Sequence, residues 1–161
     1  MSVRRRTRLT GWVATVALVA GLVAGLLTAC HKPLPTITVS GDGRSVVVAA
    51  ARYQFPGGPL RQPVKDVGQA PTIRVRAGSQ LLVDVPRAVA DNAWVVAAFT
   101  LDAASKSHPL AGAGSATAIR GRHTTHLSTP TVGVGSYYLQ VAEIRGAAQA
   151  GGWIVRVTTT D

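Results

Sequence analysis

The chain has 161 residues, 47% of them hydrophobic, with 17 basic and seven acidic side chains and a single cysteine. One cysteine excludes an intrachain disulfide framework, and a chain of this length can bury enough surface to fold as one domain without a metal. The basic side chains beyond the N-terminus are scattered from Lys32 to Arg156 with no run longer than two, so the focused basic face and stacking aromatics of a nucleic-acid binder are not visible.

Arg4, Arg5, Arg6 and Arg8 precede an uncharged run over residues 9–29, which stops at Cys30. A basic start, an apolar middle and small residues before a cut site make a secretory signal peptide. Leu27-Thr28-Ala29-Cys30 resembles the lipobox of bacterial lipoproteins. The resemblance implies that the Cys30 thiol takes a diacylglycerol, that the chain is cut between Ala29 and Cys30, and that palmitate-bearing Cys30 tethers the protein to the outer face of the cell membrane. The expected organisation is a signal peptide over 1–29, a tether over 30–35 and one extracytoplasmic domain over 36–161. Arg5-Arg6 resembles a twin-arginine signal, but Arg8 puts a charge where that motif wants an apolar residue, which favours the general secretory route. The alternative is an uncleaved anchor, since a span needs about 20 apolar residues and Gly21 and Gly25 form a G-x-x-x-G pair. Either way the arginines stay inside and the remainder lies outside. Four of the 17 basic residues lie in the leader, leaving 13 against seven acidic ones and a mature charge of about +6. That excess reads as attraction to anionic envelope material, or as the arginine-rich composition that high-GC coding produces.

His31 to Pro35 carries two prolines, which keep the tether extended. Two β-branched runs around Asp42-Gly43 then predict a hairpin over 36–50. Residues 52–71, with Pro56-Gly57-Gly58-Pro59 and further prolines at 63 and 71, read as a long loop whose Tyr53 and Phe55 tuck against the core. From residue 72 the alternation is regular: Ile73 and Val75 against Arg74 and Arg76, then Leu81, Val83 and Val85 before Pro86. Residues 87–92 suit a single helical turn. Strands follow over 93–101, 116–127, 136–144 and 152–159, the first apolar on both faces and so central in its sheet. Eight short strands at hairpin spacing predict an all-β sandwich.

The order of the last six strands resembles an immunoglobulin-like or fibronectin-like antiparallel β-sandwich. Trp94 stands on the strand where such domains bury a tryptophan, and Gly135-Ser136-Tyr137-Tyr138-Leu139 resembles their tyrosine corner. The resemblance implies core roles for Trp94, Tyr137 and Leu139, with the Tyr137 hydroxyl bonded to backbone a few residues upstream. Alternation on the last strand adds Trp153 to the same core. The lipobox, Ile37-Thr38-Val39 with Asp42-Gly43, Gly78 to Pro86 and Ala93-Trp94-Val95-Val96 also resemble an uncharacterised lipoprotein family of high-GC Gram-positive bacteria, a domain of unknown function. Members often carry two cysteines in the segment corresponding to 53–70. This chain has none there, which implies a looser loop. The resemblance brings no catalytic activity.

The catalytic inventory is thin. The mature chain holds Glu143 and six scattered aspartates, no close carboxylate pair and no G-x-S-x-G elbow. His108, His123 and His126 are the candidates for base or ligand. His123 and His126 stand three apart, which on a strand puts their rings on opposite faces, and a zinc site needs three or four ligands. No catalytic residue, metal site or cofactor is therefore assigned. The sequence leads to a lipid-anchored, non-catalytic binding module. Its expected partners are the membrane through Cys30, and an anionic envelope component or envelope protein. The alternatives are a lipid or small-molecule carrier, which would need an apolar cavity between its sheets, and an accessory envelope enzyme. The loops at 52–71, 102–115 and 145–151 are the expected contact surfaces, because loops on a rigid scaffold carry function.

Overall fold

Alternation of apolar and polar residues places successive side chains on opposite faces of a strand, and this pattern governs the computed structural model of the chain. The structure describes residues 32–64, 66–111, 113–114, 117–130 and 135–160; the leader, with Leu27, Thr28, Ala29 and Cys30, lies outside the described residues. In chain order the strands are β1 (Thr36–Gly41), β2 (Arg44–Ala49), β3 (Arg52–Gln54), β4 (Leu60–Arg61), β5 (Thr72–Arg76), β6 (Gln80–Asp84), β7 (Ala93–Leu101), β8 (Ser107–Pro109), β9 (Thr124–Ser128), β10 (Ser136–Arg145) and β11 (Ala148–Thr160). One helical turn, α1 (Arg87–Ala90), precedes β7. Among the described residues no helix is long and apolar enough to cross a membrane.

The strands build two packed sheets, an all-β sandwich. The smaller runs β2-β1-β6-β9; the larger runs β4-β3-β11-β10-β7-β8, with β5 also paired to β11. Within them β1-β6-β9 and β7-β10-β11 are antiparallel runs of three neighbouring strands. The pairing of β5 with β11 is parallel, from Arg156 opposite Thr72 to Thr160 opposite Arg76.

Three local features set this wiring. Asp42 and Gly43, at φ 50° and 70°, make the two-residue turn that matches strand twist, and Gly41 consequently pairs with Arg44. The strand expected over 116–127 is interrupted at Gly121, φ 64°. Before it Ile119 bridges Trp94 in the larger sheet, and after it β9 pairs with β6 in the smaller one. The chain thus changes sheets at a residue free to take a left-handed conformation. Finally, the segment 52–71 is not one long loop. It folds into the small β3–β4 hairpin, with β3 paired to β11 through Tyr53 opposite Gly151, and a short 3₁₀ turn at Val67–Gln69 capped by Asp66. Burial of Tyr53, 3% exposed, anchors it.

The core lies between the sheets, where Ile37, Val39, Ile73, Val75, Leu81, Val83, Val96, Val141, Val155 and Val157 meet. Fully burying one such side chain contributes about 1.5–3 kcal/mol. Both buried tryptophans are also tied by their ring N–H groups. Trp94 Nε1 donates to the Arg122 carbonyl at 3.0 Å, and Trp153 Nε1 donates to the Pro35 carbonyl at 2.9 Å. The second bond fixes the start of the domain against its last strand. Strand β7 lies between β10 and β8, as its composition suggested, but its outer face is less covered than expected, with Ala97 exposed and Val95 and Phe99 half-buried.

Candidate functional site

The chain gathers three arginines, remote in sequence, around one open groove. Residues Arg44 and Ser45 come from β2, Thr72, Ile73 and Arg74 from β5, and Arg156 and Thr158 from β11; together they line a space of about 760 Å³. Alternation explains the chemistry of its walls. Ile73, Val155 and Val157 turn inward, so Thr72, Arg74, Arg156 and Thr158 must turn outward. The parallel register then sets Arg156 opposite Thr72 and Thr158 opposite Arg74, so each arginine faces a hydroxyl rather than another charge. Arg44 crosses from the smaller sheet because the Asp42-Gly43 turn ends β1 beside β5.

None of Arg44, Arg74 and Arg156 has an acidic partner among the described residues, and no acidic residue lines the groove. Their contacts are long: Arg44 Nη1 donates to the Arg74 carbonyl and Arg156 Nη2 to Ser136 Oγ, each at 3.4 Å. The neighbouring Arg76 is different, because Asp42 lies 4.0 Å from its Nε and also accepts its backbone N–H. The groove therefore presents guanidinium forks, suited to carboxylate or phosphate, beside hydroxyl groups.

A second cluster, at the start of β11, has the opposite character. Glu143 is fully buried, and its Oε1 accepts from Arg145 Nε and from Asn92 Nδ2, both at 2.7 Å. Arg145 also donates from Nη1 to the Gln54 carbonyl at 2.8 Å and from Nη2 to the Tyr53 hydroxyl at 2.6 Å, with its Cζ 5.2 Å from the Tyr53 ring centre. Gly151 makes the room: a Cβ there would stand 2.8 Å from the Trp153 ring and 2.9 Å from the Tyr53 ring. Burial would lower the Arg145 pKa, but the bond to Glu143 and its charge outweigh that and hold the guanidinium above its ordinary value. Burial, with the Glu143 charge, raises the Tyr53 phenol. One oxygen of this carboxylate is committed to a guanidinium and the other, Oε2, is buried without a hydrogen-bond partner; among the described residues no second carboxylate joins the cluster. The cluster fastens β10 to β3 and to the end of α1.

The residues singled out by sequence fall as follows. Trp94 and Trp153 have no exposed surface, and Tyr137 and Leu139 are 1% exposed. The backbone just upstream of Tyr137, where the tyrosine-corner bond is expected, includes residues 131–134, which lie outside the described residues; burial pushes the Tyr137 pKa up to about 12. Cys30 and the other lipobox residues lie outside the described residues. His108 meets Asp102 at 3.0 Å and its hydrogen bond holds that carboxyl below the usual range. His123 Nδ1 lies 3.3 Å from the Val85 carbonyl, and His126 is exposed on β9. Among the described residues no three metal-ligating side chains cluster. The expected loop surfaces at 52–71, 102–115 and 145–151 do not form the groove. The first folds into β3–β4, the second is drawn in by Asp102 accepting the N–H groups of Ala104 and Lys106, and the third contracts to a two-residue turn in which Arg145 pairs with Ala148. Strands line the groove instead.

Comparison with protein-family models, with curated proteins and with solved structures gives no match.

Proposed function

We propose that this chain is a lipid-anchored, extracytoplasmic, non-catalytic binding module that takes an anionic envelope component in the groove of Arg44, Arg74 and Arg156. The observation that carries the reading is three guanidinium groups on one groove that, among the described residues, have no acidic partner and no acid lining beside them. Unpaired surface cations this close repel one another weakly, and an anionic ligand relieves that repulsion while gaining bidentate bonds. The lipobox reading of Leu27-Thr28-Ala29-Cys30 supplies the anchor, and the Trp153–Pro35 bond gives the tether a fixed exit from the domain.

A lipid carrier is less well supported, because Trp94, Trp153 and Tyr137 occupy the space between the sheets. An accessory enzyme would need a reactive group, and the buried carboxylate is already bonded to Arg145.

Anchoring is tested by labelled palmitate in cells. The native chain takes the label and Cys30→Ser takes none; label in the variant would remove the lipobox assignment. Ligand binding is tested with the full lipidated chain and isolated envelope polymers in a sedimentation assay. Arg44→Gln, Arg74→Gln and Arg156→Gln together abolish retention of acidic polymers, and retention unchanged by the triple variant would remove the groove.

A further inference from the structure

The outer face of the larger sheet continues the groove into an aromatic surface. Register places Phe99 of β7 opposite Tyr138 of β10, Tyr138 opposite Arg156 of β11, and Arg156 opposite Thr72 of β5. These four side chains share one row across four adjacent strands, all on the face turned from the core, since Val96, Leu139, Val155 and Ile73 occupy the other phase. Strand spacing makes the row about 14 Å long. The Phe99 and Tyr138 rings stack with centres 5.5 Å apart and planes 18° apart, and both remain half-buried at the surface. One end of the row is thus aromatic, and the other is a guanidinium with hydroxyl neighbours.

We infer that the groove's ligand is an acidic glycan, whose sugar ring lies against Tyr138 and Phe99 while its acid group meets Arg156 and Arg74. This rests on the anion-binding reading above and names the ligand class. A sugar ring offers what the row complements: an apolar face of C–H groups for the aromatics, hydroxyls for Thr72 and Thr158, and a carboxylate or phosphate substituent for the guanidinium forks. A bare polyanion leaves the aromatic half without a partner. The anchoring membrane is a poorer occupant. Arg44 stands opposite Gly41, the far end of β1 from the Pro35 exit, about 17 Å along the strand. Arg156 and Thr158 likewise lie beyond Trp153 along β11.

The test uses the full chain in detergent and four probes: hexagalacturonate, uncharged chitohexaose, inorganic polyphosphate, and phosphatidylglycerol vesicles with Cys30→Ser chain. Hexagalacturonate binds most tightly, and both Tyr138→Ala and Arg156→Gln weaken it about tenfold or more. Tyr138→Phe keeps the ring and keeps binding, which separates loss of stacking from loss of fold. Polyphosphate binds more weakly, is sensitive to Arg156→Gln and is indifferent to Tyr138→Ala. Hexagalacturonate binding untouched by Tyr138→Ala, or matched by polyphosphate or by the vesicles, overturns the glycan inference and leaves the anion groove standing. Arginine-independent binding, or none to any anionic probe, overturns both.

Discussion

Arginine does opposite work at two places on the same strand pair. Arg145 is held by Glu143, the Gln54 carbonyl and the Tyr53 hydroxyl, with only 24% of its side chain exposed. Arg156, pairing with β10 at the opposite end of the ladder, is exposed and touches one hydroxyl at 3.4 Å. A guanidinium whose donors are bonded within the protein secures the fold and has little left for a ligand. One whose donors point into an open groove adds little to stability and keeps them available. The contrast turns on partners, since both residues carry the same charge.

Breaking the secured end has the largest expected effect. Arg145→Met leaves the Glu143 carboxylate buried without its cation and costs about 3–5 kcal/mol, read as a lower denaturant midpoint. Adding Glu143→Gln to that variant recovers part of the loss, and no recovery would show that packing rather than charge dominates. Next is Gly151→Ala. Its Cβ would press on the Trp153 and Tyr53 rings, at 2.8 and 2.9 Å, and overpacking of this kind costs about 1–3 kcal/mol; thermal melts read it. A smaller effect appears in alkali. The folded-state pKa of Tyr137 is raised from 10.0 to about 12, so the folded state holds its proton more tightly than the unfolded chain. Stability from this source is intact below pH 10 and is lost as pH rises toward 12. Tyr137→Phe flattens that alkaline decline, and an unchanged profile would assign it to other groups.

Much of the sandwich was legible in alternation alone. The β1–β2 hairpin follows from Asp42-Gly43, and the buried faces of β5, β6, β10 and β11 follow from period-two runs. The β3–β4 hairpin was hidden because strands of three and two residues carry too little periodicity, and its proline- and glycine-rich connection reads as loop. The burial of Glu143 is also written in the alternation. This residue stands in phase with Tyr137, Leu139 and Val141, all buried, so the pattern alone places its carboxylate inside the sandwich. The groove was not legible, because Arg44, Arg74 and Arg156 are distant in sequence and meet only through the parallel β5–β11 pairing and the β1–β2 turn. In sequence each reads as an ordinary solvated charge.

The central claim, that the groove arginines serve a ligand and not the fold, is tested most directly by one paired measurement. Native chain and the Arg44→Gln, Arg74→Gln, Arg156→Gln variant are melted with and without acidic polymer. Exposed positions of this kind shift stability by no more than about 0.5 kcal/mol each, so the account predicts closely similar melting temperatures without polymer. It predicts that added polymer raises the melting temperature of the native chain alone. A variant that melts far lower without ligand, or one that polymer stabilises as much as the native chain, would contradict it.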